Sequence, residues 1–305
     1  MSMQPTVLVL GGTGRIGTAF LEQARAKNSH LKFRLLTRNP YKLKCYADAD
    51  GIVVQQGDLL SPESLAQAMD GIQQVFFIVP DAPDMVEMER NVYEAARKHG
   101  SVQHVLKISA ILAGARPHPA GFGILHRQGE ELLRQEAALS GFAYTILRPC
   151  MFAQSLELFQ DPIMGLGVIL SPSGQGRISF VDVRDVAACA LELLLHEHEQ
   201  KNRVYTLTGP TAYTMEQAAK LLTQHMGRSV RHFSPPEWLS YWIYRILAGM
   251  DAFMARNVRD LFVAVKAGQE EEVSDAILLI CKRAPTSLQA YLLDQKVFPS
   301  DKKSL

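Results

Sequence analysis

The chain has no excess of either charge. Its 305 residues include 32 Lys and Arg against 31 Asp and Glu, which leaves a formal net charge of +1. Proteins that bind nucleic acid or an anionic membrane surface usually carry a basic patch or stripe. Because this chain has no such excess, the sequence predicts small-molecule partners, with no nucleic acid and no membrane among them.

The chain also has few cysteines and no long apolar run. Its four cysteines lie far apart, without Cys-x-x-Cys spacing, at Cys45, Cys150, Cys189 and Cys281. This pattern excludes a disulfide framework and offers no ligand spacing for zinc, so we predict a cytoplasmic location and no metal site. No uncharged apolar stretch reaches the roughly 18–20 residues that a membrane-spanning helix needs.

The composition that remains is that of a globular chain with a sizeable core. Apolar residues make up 47% and charged residues 21% of the chain, close to the averages for soluble domains. Its length corresponds to about two domains of roughly 150 residues each. We place the division at residue 150, with a second lobe over residues 151–305 and some of its segments returning to the first domain. The sequence leaves a monomer and a homodimer equally open.

The first half of the chain alternates short apolar runs with segments of helical period. Strand candidates lie at residues 7–10, 33–37, 51–55, 75–79, 105–109 and 144–147. This alternation is typical of a parallel sheet with helices on both faces. We therefore predict an α/β fold with a doubly wound parallel sheet and a smaller, mostly helical C-terminal lobe. Residues 161–177, rich in Gly, Pro and Ser, are predicted loops, and residues 203–208 a strand that returns to the sheet.

A glycine-rich segment joins the first predicted strand to the first predicted helix. It consists of Gly11, Gly12, Thr13, Gly14, Arg15, Ile16 and Gly17 and fits the spacing Gly-x-Gly-x-x-Gly. Glycines let backbone N–H groups approach a pyrophosphate, and the helix N-terminus offers it a positive dipole end. In this strand–loop–helix context the segment predicts a Rossmann-type dinucleotide site over residues 1–150. A glycine-rich turn without a ligand is the alternative.

The end of the second predicted strand favours NADP(H) over NAD(H). An NAD site usually has Asp or Glu there, to bind the ribose 2′-hydroxyl. Here Arg38 occupies the turn, and a guanidinium suits a 2′-phosphate because it forms paired, charge-assisted hydrogen bonds. An ordinary solvated arginine is the alternative. Four residues at or just after the ends of the third and fourth predicted strands complete the predicted cofactor site: Asp58, Leu59, Val79 and Pro80.

Several motifs, taken in their order, resemble the NmrA-like branch of the atypical short-chain dehydrogenase/reductases. They are the glycine loop and residues 37–40, 57–59, 147–149, 181–187 and 283–287. The resemblance implies an NADP(H)-binding Rossmann domain and a C-terminal lobe that forms a substrate cleft. It also implies an activity among the NAD(P)H-dependent quinone, azo-dye and isoflavone-type reductases, or a regulator that binds the dinucleotide and does little chemistry.

The Tyr-x-x-x-Lys pattern of that superfamily is missing. The corresponding positions hold His126 and Glu130, whose i, i+4 spacing puts them on one helical face. A glutamate favours a protonated imidazole, so a tyrosinate mechanism cannot be carried over. We predict His126 as a proton donor and Ser109 as a hydrogen-bond partner of a substrate carbonyl. A surface His–Glu pair and a strand-capping serine are the alternatives.

Together these features predict an NADP(H)-dependent oxidoreductase that transfers hydride to a planar apolar acceptor such as a quinone or an azo compound. A quinone suits a site without the tyrosine, because its reduced form can leave as a stabilised anion. Trp238 and Trp242 are expected either to pack within the second lobe or to line an apolar pocket. The alternative function is a non-catalytic NADP(H) sensor that controls a protein partner.

Overall fold

The computed structural model describes residues 6–27, 29–46, 49–115, 119–196, 201–294 and 298. The strands are β1 (Thr6–Leu10), β2 (Lys32–Thr37), β3 (Ile52–Gln56), β4 (Gln74–Phe77), β5 (His104–Ile108), β6 (Ala143–Pro149), β7 (Val168–Leu170), β8 (Arg177–Ile178), β9 (Arg203–Leu207), β10 (Tyr213–Thr214) and β11 (Arg231–Phe233). The α-helices are α1 (Arg15–Ala26), α2 (Pro62–Ala68), α3 (Met85–His99), α4 (Phe122–Ser140), α5 (Gln160–Leu166), α6 (Val183–Leu195), α7 (Met215–Met226), α8 (Glu237–Ile246), α9 (Ala252–Lys266), α10 (Ala276–Cys281) and α11 (Leu288–Asp294).

Seven strands form one sheet in the order β3-β2-β1-β4-β5-β6-β9. The pairings from β3 to β6 are parallel. The strand β9 runs alongside β6 in the same direction, since Asn202 N–H donates to Tyr144 O at one end and Cys150 N–H to Leu207 O at the other. The doubly wound parallel sheet is confirmed, and so is the returning strand. The strand order reverses between β1 and β4, which is where such sheets bind their ligands.

The central strands are apolar because both of their faces are buried. Residues 7–10 of β1 and residues 75–77 of β4 have no exposed surface. The helix α2 begins as its sequence predicts, since the Ser61 hydroxyl accepts a hydrogen bond from Ser64 N–H and Pro62 occupies the first helical position. A core cluster that includes Leu65, Val92 and Leu133 packs against this part of the sheet.

The chain divides into two compact units. The first covers Met1–Ser109, Leu125–Arg148 and Val186–Tyr205, and the second Ala110–Ile124, Pro149–Asp185 and Thr206–Leu305, each over its described residues. None of the helices in the described ranges is long and apolar enough to cross a membrane.

The prediction of loops over residues 161–177 is wrong for part of that range, which contains α5 and β7. The helix α5 ends at Leu166 and is capped by Gly167, whose φ of +65° suits glycine, and β7 follows directly. The strand β7 pairs in parallel with β11, Ile169 lying opposite His232. A three-residue strand stabilised by such a distant partner leaves no local signal in the sequence.

Candidate functional site

Two glycines of the predicted loop are required by the backbone. Gly11 has a φ of +88°, and a Cβ there would lie 2.4 Å from the carbonyl oxygen of Ile78. A Cβ at Gly17 would lie 2.4 Å from the carbonyl oxygen of Gly11 and 2.6 Å from the Cα of Gly12. These glycines therefore let the start of α1 pack closely on the loop and let the loop pack beside the end of β4.

Gly14 has a different surrounding. Its φ of −83° is open to any residue, and a Cβ there would meet only the Gly11 carbonyl oxygen, at 3.4 Å. Gly14 caps α1 but has no side chain to satisfy the first N–H groups of the helix. Thr13, Gly14 and Arg15 are exposed, whereas Ile16 is buried and holds the helix on the sheet. The loop thus leaves open space at a helix N-terminus, which fits an anion.

The turn after β2 presents positive charge that has no counterion among the described residues. Arg38 is exposed and forms no hydrogen bond or ion pair with any described residue. The turn itself is fixed, because Asn39 N–H donates to Thr37 Oγ1 and Tyr41 N–H to Asn39 Oδ1. Residues 38–46 contain Arg38, Lys42 and Lys44 and no acidic residue. This arrangement suits a phosphate and disfavours a ribose-binding carboxylate.

The other predicted cofactor residues lie at the same edge of the sheet. One Asp58 carboxylate oxygen accepts a hydrogen bond from Leu60 N–H, and Leu59 packs against the core cluster. Val79 is only 8% exposed and belongs to that cluster, whereas Pro80 is exposed. Any contact of Val79 with a ligand would therefore involve mainly its backbone.

His126 and Glu130 share a face of α4 but do not interact as the sequence predicts. The His126 Nε2 atom lies 3.1 Å from Oδ1 of Asp81, in the loop after β4, and Nδ1 is buried with no partner among the described residues. His126 is 7% exposed, so it is not a surface residue. The acidic partner of the imidazole is Asp81, which the sequence analysis missed because it lies 45 positions away.

Glu130 instead forms a buried cluster with three other residues. Its carboxylate accepts two hydrogen bonds from Arg148, at 2.8 and 2.6 Å, and one each from Ser109 Oγ and Arg134. Burial alone would raise the pKa of Glu130, but the hydrogen bonds from Arg148 and Ser109, with the charges beside them, hold it below its usual value. The Ser109 hydroxyl hydrogen is engaged by Glu130, so Ser109 has only acceptor capacity left for a ligand.

A second buried ion pair lies close to this cluster, between Glu89 of α3 and Lys107 of β5. Lys107 Nζ contacts Glu89, both side chains having no exposed surface, and Tyr93 Oη donates to Glu89 at 3.2 Å. Burial, and then the charge of Glu89, raise the pKa of Tyr93 well above its usual value. The sequence signal for this pair is a lysine inside the apolar β5 segment, since such a charge needs a partner.

The second unit contains a buried carboxyl with weaker partners. Glu270 Oε2 accepts hydrogen bonds from Met151 N–H and from the Cys150 thiol, each at 2.8 Å. Burial raises the pKa of Glu270 to about 7 and raises that of the Cys150 thiol well above its usual value. Trp238 and Trp242 are 67% and 54% exposed, so packing within the lobe is wrong for both of them.

The residues that the structure describes include no group of three or more His, Cys, Asp or Glu side chains placed to hold a metal ion.

Comparisons with known proteins agree with this geometry. The chain is 34% identical over 227 residues to the NAD(P)H azoreductase of Xenophilus azovorans, which covers 74% of this chain and 76% of that protein. The crystal structure of the NADPH-dependent quinone oxidoreductase of Escherichia coli complexed with NADPH superposes with a TM-score of 0.84 at 25% identity, covering 94% of this chain and 98% of that one.

A more distant structure shares the fold alone. The negative transcriptional regulator NmrA in complex with NADP superposes with a TM-score of 0.78 at 17% identity, over 96% of this chain and 95% of that one. Residues 11–197, which begin at the glycine loop, match the sequence profile of a family described as NAD(P)H-binding. The family prediction from the motifs is therefore confirmed: the chain belongs to the NAD(P)H-binding family.

Proposed function

We propose that this protein is an NADP(H)-dependent oxidoreductase that transfers hydride to a planar apolar acceptor such as a quinone or an azo compound. The observation that carries the proposal is the open helix N-terminus at Gly14 after β1, with Arg38, which has no counterion among the described residues, after the adjacent strand β2. The azoreductase and quinone oxidoreductase activities of the two more similar relatives support the acceptor class.

In this proposal the cofactor contacts divide by chemistry. Residues 11–17 would hold the pyrophosphate through backbone N–H groups, and Arg38 the 2′-phosphate. Asp58, Leu59, Val79 and Pro80 would line the rest of the site from the loops after β3 and β4. The described geometry fits the group, because the space above Gly14 is what a side chain would otherwise fill.

The dinucleotide, when bound, supplies the hydride, and the chain binds and orients it. None of the described residues forms a Tyr-Lys pair on α4 to donate a proton. His126 directs Nε2 at Asp81, and Ser109 directs its hydroxyl at Glu130. We therefore assign both predicted catalytic residues to positioning. This arrangement suits an acceptor whose reduced form is a stable anion that later takes protons from water. The anion formed when a quinone accepts hydride is of this kind.

The first test concerns cofactor choice. Arg38→Ala should weaken NADPH binding by roughly ten- to a hundred-fold, because hydrogen bonds to charged groups contribute about 1.5–3 kcal/mol. NADH, which has no 2′-phosphate, should bind equally to parent and variant in calorimetry. Lys32→Ala removes an exposed cation from the opposite end of β2 and is the matched control. Equal losses for the two cofactors would contradict the assignment of Arg38.

The second test separates binding from folding and an enzyme from a sensor. Gly14→Val should fold normally, since its backbone and space permit a side chain, but should lose NADPH binding. NADPH oxidation by the parent protein is then measured against a panel of quinones and azo dyes. Tight NADPH binding without turnover of any acceptor would contradict the oxidoreductase and favour the sensor.

A further inference from the structure

Asp81 and His126 form a pair whose two members differ sharply in exposure. His126 is buried, and its Nε2 lies 3.1 Å from Oδ1 of Asp81, whose side chain is 39% exposed. The Nε2 atom of the imidazole faces the carboxylate at ion-pair distance, and Nδ1 has no partner among the described residues. The contact with Asp81 is thus the polar interaction that orients this ring, and the carboxylate is the part that a ligand can reach.

The position of Asp81 relates it to the glycine loop. It lies in the loop after β4, and Ile78 of the same segment donates its N–H to Leu10 O at 3.0 Å. The Ile78 carbonyl also approaches Gly11 so closely that no side chain fits there. The strand β4 is the first strand beyond the reversal of strand order, whereas Arg38 follows β2 on the other side. A dinucleotide at such a reversal has one nucleoside on each side of it.

We propose that the Asp81 carboxylate, oriented by His126, accepts hydrogen bonds from the ribose hydroxyls of the nicotinamide nucleoside. This inference rests on the proposed function. A carboxylate offers only acceptors, and two neighbouring ribose hydroxyls are donors that match its two oxygens. Acidic residues bind the adenosine ribose of NAD in this way after β2, a position that Arg38 occupies here.

His126 acts in this proposal as a positioning residue. Burial fixes the orientation of the His126 ring, and the ring holds one carboxylate oxygen of Asp81. The other oxygen and the remaining lone pairs are then available to the ligand. Asp84 offers a comparison three residues later, because it caps α3 without any side-chain hydrogen bond to the helix. An acid that lacks a buried partner keeps its rotamer freedom and binds a hydroxyl pair less well.

The test compares a complete and a truncated cofactor. NADPH contains the nicotinamide ribose, whereas adenosine 2′,5′-bisphosphate contains only the adenosine half with its 2′-phosphate. By calorimetry, Asp81→Ala should weaken NADPH binding by roughly ten- to a hundred-fold and leave the bisphosphate unchanged. Asp84→Asn, the control, should change neither. His126→Leu should weaken NADPH alone, and His126→Gln, which retains an N–H donor, should recover part of the loss.

Thermal unfolding of each variant without ligand accompanies the binding data, and Asp81→Asn replaces Asp81→Ala if the latter does not fold. Parent-like NADPH binding by the folded Asp81 variant, or equal losses for NADPH and the bisphosphate, would overturn the inference. A parent protein that binds neither compound would instead contradict the proposed function itself. A loss confined to NADPH, reproduced by His126→Leu, supports the assignment.

Discussion

Glu130 and Glu270 are buried to nearly the same degree, one in each unit, and differ in their partners. Glu130 is fully buried and Glu270 is 2% exposed. Arg148, Arg134 and Ser109 surround Glu130, and although burial favours protonation, their hydrogen bonds and charges lower its pKa. Glu270 has a thiol and a backbone N–H, and burial raises its pKa to about 7. Burial raises the pKa of both carboxyls, but only at Glu130 do cationic partners outweigh it.

The difference separates the two units by their response to pH. In the first unit, cations hold the pKa of Glu130 below its usual value, and the buried Glu89 carboxylate contacts Lys107. The second unit contains a carboxyl that changes charge near neutral pH. We therefore expect the first unit to depend on its ion pairs at all ordinary pH values, and the second to lose stability as the pH rises from about 4.5 to 7.

The largest effect should come from removing a cation in the first unit. Arg148→Met leaves the Glu130 carboxylate buried without its bidentate partner. Breaking a buried ion pair in this way costs about 3–5 kcal/mol, measurable as the free energy of unfolding in urea. Arg134→Met, which removes a single bond from a more exposed side chain, should cost less. The double variant Arg148→Met/Glu130→Gln should recover part of the stability that Arg148→Met loses. If it does not, the loss in Arg148→Met is not electrostatic in origin.

The second effect concerns Glu270→Gln and depends on pH. The pKa of Glu270 rises from an ordinary 4.5 to about 7 on folding, so the stability it contributes is full below about pH 4.5 and is lost as pH rises through 7. Above pH 7 that loss amounts to about 3 kcal/mol, at about 1.4 kcal/mol per pH unit. The amide of the glutamine does not ionise. The free energy of unfolding of the variant should therefore rise relative to that of the parent between about pH 4.5 and 7.

Glu130→Gln should change the stability of the protein in the opposite direction. Because the pKa of Glu130 is lowered on folding, its contribution to stability is present above about pH 4.5 and is lost as the pH falls below that value. Relative to the parent, Glu130→Gln should lose stability as the pH rises toward about 4.5, whereas Glu270→Gln should gain stability as the pH rises from about 4.5 to 7. Parallel pH profiles for Glu130→Gln and Glu270→Gln would remove the distinction between the units.

Local patterns in the sequence were sufficient to predict the parallel sheet and the glycine-rich loop after β1. The glycine spacing between an apolar strand and a helix marks the site at Gly14, and alternating runs mark the strand ends where Arg38 and Asp58 lie. These features follow from residues that are neighbours in the chain. The predicted roles of the individual residues stay predictions, because binding depends on partners that sequence spacing does not specify.

The side-chain pairs could not be predicted in the same way. His126 and Asp81 belong to different βα units, and Cys150 and Glu270 are separated by 120 positions. Helical spacing correctly puts His126 and Glu130 on one face, but each side chain contacts a residue from a neighbouring loop or strand. Tertiary packing thus overrides the i, i+4 pairing of His126 with Glu130, whereas the i, i+4 contact of Glu130 with Arg134 does form.

A smaller effect should distinguish two helical glycines, one in each unit. A Cβ at Gly129 of α4 would lie 1.6 Å from Glu89 Oε2, whereas a Cβ at Gly165 of α5 meets nothing within 4 Å. Gly129→Ala should displace Glu89 from Lys107 and cost about 1–3 kcal/mol. Gly165→Ala should instead stabilise the protein by about 0.5–1 kcal/mol through helix propensity. If both substitutions changed the unfolding free energy in the same direction, the contact between Glu89 and Lys107 would tolerate displacement.

The smallest effect should come from Cys150, which donates to the Glu270 carboxylate. That hydrogen bond lowers the pKa of Glu270 against the larger effect of burial. Cys150→Ala removes the donor, so the pH at which Glu270 destabilises the protein should rise, by less than about one pH unit for a bond worth about 1 kcal/mol. Cys150→Ser supplies a stronger donor and should move the same midpoint to lower pH. The midpoint is read from unfolding free energies between about pH 5 and 9, with Cys189→Ala as a control for the loss of a buried thiol elsewhere. Shifts in the same direction for the alanine and serine variants would show that packing around position 150, and not the hydrogen bond, sets the ionisation of Glu270.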